Sequence, residues 1–189
     1  MYGLINNAIK QLACDVGGPG AWNAIRTLAG VDDPTFIGME PYPDEVTFRL
    51  VAAAGTVLGR TSDEILEAFG KHWILFTANS GYGQLFAMTG RTFPEFLENL
   101  DALHARIQLT MPKLRPPRIT CTDVCMTASG AGSMTVHYRS QRDGLAPMVV
   151  GLLKGLGERL RTDVRIEGGV RRAQGAEHDE FLVAFAPTV

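Results

Sequence analysis

Between Pro112 and Pro117 the chain drops one periodicity and takes up another, and that change limits the folds open to it. Upstream, apolar residues recur at spacings of three and four, the mark of amphipathic helices; downstream they alternate, as on a half-buried strand. Arg115-Pro116-Pro117 cannot continue a helix, because proline has no amide hydrogen and its ring clashes with the preceding turn. The helical part divides at glycines and caps. A helix over 2–16 carries Ile5, Ala8, Ile9 and Leu12 and stops at Gly17-Gly18-Pro19-Gly20. Helices over 21–28 and 44–58 are closed by Gly30 and Gly59. Thr61 with Glu64 forms a capping box for a helix over 63–78, and Thr92 with Glu95 forms another for the helix that follows. Beyond the prolines, strands are expected over 118–124 and 133–140, then a helix over 145–161, then strands over 163–167 and 181–185. The expected class is α+β: an N-terminal helical subdomain, 1–62, and a C-terminal part, 63–189, with an antiparallel four-stranded sheet packed on a helix.

The composition excludes several function classes. Hydrophobic residues make up 46% and charged residues 20% of 189, ordinary globular usage, and the formal net charge is -2. That balance gives no general attraction to nucleic acid or to an anionic membrane. No basic segment followed by a long apolar run opens the chain, and no apolar stretch is long enough to span a bilayer, so a cytoplasmic protein is expected. Cys14, Cys121 and Cys125 are too few and too unevenly placed for a disulfide framework or a cysteine zinc site. Gly151 and Gly155, in an amphipathic helix, point to close helix packing rather than membrane dimerisation.

On the helix after Thr92, Phe96, Leu97, Leu100, Leu103 and Ile107 form an apolar stripe, and His104 falls on it. A histidine there is either a satisfied core residue or a ligand, and neutral imidazole is the usual proximal ligand of a sensing or oxygen-carrying haem. The other histidines are poorer candidates: His178 sits in the charged run Glu177-His178-Asp179-Glu180, His72 has Lys71 beside it, and His137 takes the strand face opposite Val136 and Tyr138. In an extended chain Tyr138, Ser140 and Arg142 point the same way and offer a phenol, a hydroxyl and a guanidinium. That row reads either as the polar edge of a strand or as a clamp for paired carboxylates, which Arg142 can bind bidentately.

Together these residues resemble the haem nitric oxide/oxygen binding family, H-NOX, which includes the haem domain of the soluble guanylate cyclase β subunit. The resemblance runs from Met1-Tyr2-Gly3 through Asn99-Leu100-Asp101-Ala102-Leu103-His104 and Arg115-Pro116-Pro117 to Tyr138-x-Ser140-x-Arg142 and Gly144-Leu145-Ala146-Pro147-Met148. It implies one domain with haem b (iron protoporphyrin IX) between its two parts. His104 would ligate the iron, while Tyr138, Ser140 and Arg142 would hold the propionates. Pro117 would press on the porphyrin and Ile5 would pack against it. Trp73, Thr77, Leu145 and Met148 would line the gas pocket. Asp44 and Glu45 lie near the position where the family pairs an acid with the signature arginine, although Pro43 replaces the acid found in guanylate cyclase.

Members that hold oxygen stably place a tyrosine where this chain has Pro147, which has neither hydroxyl nor amide hydrogen. Losing a donor to the partly negative bound oxygen costs about 1.5–3 kcal/mol. The resemblance therefore implies a sensor of nitric oxide, with carbon monoxide also bound, unless the Trp73 indole points inward as a donor. Nitric oxide is expected to weaken the bond to His104 and so relax the chain leading to Pro117. The chain ends at Val189 with no segment for a kinase or cyclase domain, so no enzyme activity is expected here. Output would pass to a separate protein, of which the resemblance implies a histidine kinase or a cyclic-di-GMP enzyme, or to a region outside this sequence. Two other readings are a thiol redox sensor built on Cys121 and Cys125, and a gas carrier without a signalling partner.

Overall fold

A computed structural model describes residues 1–32, 35–79 and 81–188. Among them run α1 (Gly3–Leu28), α2 (Asp44–Leu58), α3 (Ser62–Ala78), α4 (Gly83–Thr89), α5 (Phe93–Glu98), α6 (Leu100–Gln108), β1 (Arg118–Met126), β2 (Gly132–Arg139), α7 (Ala146–Arg159), β3 (Thr162–Gly168) and β4 (Asp179–Pro187). The α+β class is as the sequence implies. The expected break at Gly17–Gly20 is a kink inside α1, made by Gly18 at φ 74° and ψ 177°, a pair of angles open to glycine. Gly59 ends α2 in the left-handed conformation, and Thr61 and Glu64 complete the capping box of α3. The second box is only half made: Thr92 accepts from the Glu95 amide, but the Glu95 carboxylate accepts from the Arg91 amide instead.

Two expectations need correction. The helix expected after Thr92 is two helices that meet at Asn99, whose φ of -91° and ψ of 0° depart from the ideal helical turn while staying right-handed. Its side chain donates to the Thr89 carbonyl at 2.9 Å, which holds the break in place. The short α4 was not foreseen at all. Its seven residues lie between Gly81 and Gly90 and are too few to show a period.

The sheet is antiparallel throughout, in the order β1-β2-β4-β3. Met134, Val136 and Tyr138 of β2 and Phe181, Val183 and Phe185 of β4 form its buried face. That face joins the helices in one continuous core, with the Phe93 ring of α5 5.8 Å from Phe185.

Helices α3 and α7 meet through glycines. A Cβ on Gly70 would stand 2.1 Å from the Met148 carbonyl oxygen, and one on Gly151 would stand 1.9 Å from that of Glu67. The Gly151/Gly155 pair therefore serves close packing within the domain. Because the obstruction is backbone on both sides, no side-chain rotation relieves it. Gly151→Ala is expected to destabilise the fold by about 2 kcal/mol, within the usual cost of overpacking. For a domain of this size that lowers Tm by roughly 4–8 °C. An unchanged melting curve would show that the two helices can separate freely.

Candidate functional site

His104 lies in α6, half-buried, with Nδ1 closed off from solvent and without a hydrogen-bond partner among the described residues. Leu103 is buried, whereas Leu100 and Ile107 are only partly so, and the stripe therefore lies at the margin of the core. Burial lowers the pKa of His104 below 6.5, against smaller upward pulls from the Asp101 charge and the Pro117 backbone. The ring is thus neutral at physiological pH and keeps a lone pair, as a metal ligand must. Asp101, which sequence reasoning passed over, also accepts from the Ile119 amide at 3.2 Å and ties α6 to β1. Gln108 donates to the Leu114 carbonyl at 3.0 Å, which fixes the chain leading to half-buried Pro117.

His72 shares part of this description. Its Nε2 is also enclosed without a partner, and burial lowers its pKa against the Asp15 charge. What separates the two rings is their surroundings: Pro117 lies beside His104, whereas His72 faces Phe76 at 6.1 Å.

Tyr138, Ser140 and Arg142 come together around a cavity of about 240 Å³, though not as a strand row. Strand β2 ends at Arg139, and the Ser140 hydroxyl accepts from the Arg142 amide at 3.0 Å, a side-chain turn that swings the chain off the sheet. Arg142 then reaches Asp44 of α2, at 2.6 Å through Nε and 3.3 Å through Nη2, and the Arg115 carbonyl at 2.9 Å. Three of its five N–H groups are used in this way. Pro43 does not prevent the acid pairing, because Asp44 takes it. Burial pushes the Asp44 carboxyl up, but its bonds to Arg142 and the Met1 amine, with their charges, outweigh that and leave it below 3.8. Tyr138 is buried, which raises its pKa, so the phenol stays a donor; Ser140 and Arg142 pull the other way.

Ile5 is half-buried on α1 against the core. Trp73 stacks on Phe76 with centroids 5.8 Å apart, and the Thr77 hydroxyl donates to the Trp73 carbonyl at 2.8 Å. Leu145 is buried at the start of α7, with Pro147 and Met148 half-buried in its first turn. Trp73, Thr77, Leu145 and Met148 share the α3–α7 pair that meets at Gly70. A second, apolar cavity of about 20 Å³, bounded by Ile9, Val51 and Phe69, has room for about one water.

His178 is not the solvated residue its charged neighbours suggested. Its side chain is 12% exposed and pairs with His137 across the sheet.

Residues 2–168 match the family described as Haem-NO-binding. The soluble guanylate cyclase gcy-31 of Caenorhabditis elegans is 32% identical over 168 residues, covering 88% of this chain and 23% of the cyclase. Another from the same organism, gcy-35, is 32% identical over 189 residues, 96% of this chain and 26% of its own length. The chain thus spans about a quarter of the length of the curated relatives it matches. In fold it is similar to an H-NOX protein from S. oneidensis in the Fe(II)NO ligation state, with TM-score 0.83, 18% identity, and coverage of 98% and 99% of the two chains. An Fe(II) unliganded H-NOX protein from K. algicida gives TM-score 0.81 at 16% identity, covering 100% and 98%. With a family match over most of its length and the same architecture in solved relatives, the chain belongs to the Haem-NO-binding, or H-NOX, family of haem-binding gas-sensor domains.

Proposed function

We propose that this chain holds haem b through His104, senses nitric oxide, also binds carbon monoxide, and passes its signal to a separate effector without chemical turnover. The observation that carries the reading is the enclosed, neutral imidazole of His104, which lies beside Pro117 and whose Nδ1 has no hydrogen-bond partner among the described residues. When bound, the group would supply ferrous iron able to take up a diatomic gas. Toward it, Tyr138, Ser140 and Arg142 offer hydrogen-bond donors suited to the propionates, and Arg142 keeps two N–H groups beyond those given to Asp44 and Arg115. Ile5 and Pro117 supply apolar contact. Trp73, Thr77, Leu145 and Met148 make the gas side.

Gas preference follows from donors. Pro147 offers none, and Thr77 spends its hydroxyl hydrogen on its own helix. Trp73 stacks on Phe76, which favours packing over donation. The thiol reading weakens, because burial, with the Glu98 charge, pushes Cys121 up to about 11 and keeps it a poor nucleophile. A histidine kinase or a cyclic-di-GMP enzyme is the effector class this reading carries. No helix among the described residues is long and apolar enough to cross a membrane, and a cytoplasmic location is part of the proposal.

The test is the absorption spectrum of the reduced protein. Nitric oxide and carbon monoxide should each shift the Soret band, while air should yield no stable oxygen complex. A persistent oxygen complex would overturn the selectivity and direct attention to Trp73. The absence of any Soret band would overturn the haem reading itself.

A further inference from the structure

On the exposed face of the sheet, away from Tyr138, three side chains converge. His137 Nδ1 lies 3.0 Å from His178 Nε2 and 3.3 Å from Glu180 Oε1, and His178 Nε2 lies 3.2 Å from the same oxygen. Strand register places them so. His137 and Glu180 are directly opposed across β2 and β4, and His178 stands just before β4 begins. Exposures of 15%, 12% and 31% show a partly enclosed group rather than loose surface side chains.

The hydrogen bonds around the cluster decide which atoms carry protons. Thr122 donates its one hydroxyl hydrogen to Asp123 Oδ2 at 2.9 Å. Its oxygen must then accept from His137 Nε2, which lies at 2.8 Å. Neutral His137 therefore carries its proton on Nε2 and turns the Nδ1 lone pair toward His178 and Glu180. That lone pair and the Glu180 carboxylate oxygen face the same His178 Nε2, whose N–H can bridge them and whose place a cation can take, binding all three groups at once. His178 Nδ1 has no partner among the described residues, so when Nε2 binds a metal the ring proton moves to Nδ1 without displacing another hydrogen bond there.

We propose that His137, His178 and Glu180 form a site for a divalent transition-metal ion of the zinc class, with water in the fourth position. The geometry suits it. Zinc–nitrogen and zinc–oxygen bonds of about 2.0–2.2 Å set tetrahedral ligand-to-ligand edges of roughly 3.3–3.6 Å, at or up to a few tenths beyond the 3.0, 3.2 and 3.3 Å separations here. Two imidazoles with one carboxylate are a donor set suited to zinc, copper, nickel or ferrous iron rather than to calcium or magnesium. Thr122 and Asp123 supply the outer hydrogen bonds that fix a ligating imidazole.

The site adjoins the Tyr138, Ser140 and Arg142 residues both in the chain and in space, because His178 also lines the cavity around them, whereas His137 takes the sheet face opposite Tyr138. His137 precedes Tyr138, and His178 precedes Asp179, whose carboxylate accepts from the Arg172 amide at 3.0 Å. Arg172 in turn donates to the Ser140 carbonyl at 3.0 Å. A bound ion would clamp β2 to the start of β4 where the signature residues leave the sheet.

The experiment is equilibrium dialysis of the tag-free, haem-loaded protein against zinc chloride, with zinc and iron measured by elemental analysis. One zinc per chain is expected in addition to iron. His178→Ala and Glu180→Gln should lose that zinc while keeping the circular dichroism spectrum of the parent. Thr122→Val should weaken binding by roughly 10–100-fold, the usual effect of losing a ligand's supporting hydrogen bond. Replacing Cys121 and Cys125 with serine should change nothing. Failure of the parent to take up zinc, or full uptake by His178→Ala, would overturn the site. So would loss of zinc in the cysteine variant, which would place the ion on thiols. None of these outcomes depends on which residue holds the haem.

Discussion

His104→Gly is expected to purify with little or no haem, and to regain it when imidazole is supplied. The substitution removes the one ring that combines enclosure, a neutral lone pair and contact with Pro117, and leaves an imidazole-sized space. Loss of a supporting partner alone costs a metal site roughly 10–100-fold in affinity, so loss of the ligand itself should exceed that. The Soret absorbance relative to protein is the measurement. The companion variant is His72→Gly, since His72 also has an enclosed, unpartnered nitrogen. It should keep its haem. A normal ferrous spectrum in His104→Gly without imidazole, or haem loss confined to His72→Gly, would remove His104 from the site.

The second large effect is expected at Arg142. Its guanidinium joins α2 to the chain after β2, with Asp44 at one end and the Arg115 carbonyl at the other. The pair is neither exposed nor buried, with side chains 20% and 34% accessible. Its loss should therefore cost about 1–3 kcal/mol, between the surface and interior limits. Arg142→Ala should also speed haem dissociation more than Tyr138→Phe or Ser140→Ala, because charge-assisted bonds are roughly twice as strong as neutral ones. Asp44→Asn should reproduce the loss of stability with a smaller effect on haem retention, since it leaves the propionate donors in place. The pH dependence has a definite sign. A carboxyl held below 3.8 contributes stability that is present above that pH and is lost as pH falls through its lower folded value. Without Arg142 that acid-side resistance shrinks, and unfolding should begin at a higher pH. Unchanged haem dissociation together with unchanged acid unfolding in Arg142→Ala would show that the guanidinium clamps neither partner.

What was legible in the sequence was local. Gly18, Gly59 and the Thr61/Glu64 box act within a few residues, and each ended or started a helix near where its chemistry required. The break at Asn99 was hidden because Phe96, Leu97, Leu100, Leu103 and Ile107 keep helical spacing straight across it. A side-chain bond to Thr89, ten residues back, makes the interruption. The same limit explains Arg142. Two-residue alternation placed it on a strand, but the Ser140 hydroxyl captures its amide and turns it toward Asp44. The cluster of His137, His178 and Glu180 was out of reach for a different reason. It exists only because the edge of β2 away from β1 pairs with β4 rather than with β3, the next strand in sequence, and no local pattern announces that order. Charge misled in the same region: Asp179 sits in a run that looks solvated, yet it is 9% exposed and bonded to the Arg172 amide.

Two hydrogen bonds stitch the beginning of the chain to its later part: the Lys113 amide donates to the Tyr2 hydroxyl across 111 residues, and Arg142 reaches Asp44 across 98. Contacts so distant in sequence require large loops to close, and they form late in folding. On a ribosome adding about 5–20 residues per second, Asp44 exists for roughly 5–20 s before Arg142 is made. During that interval α1 and α2 can pack on each other with the Asp44 side of α2 still uncovered. Closure of the Asp44 edge of α2 is thus timed by synthesis of the C-terminal half of the chain.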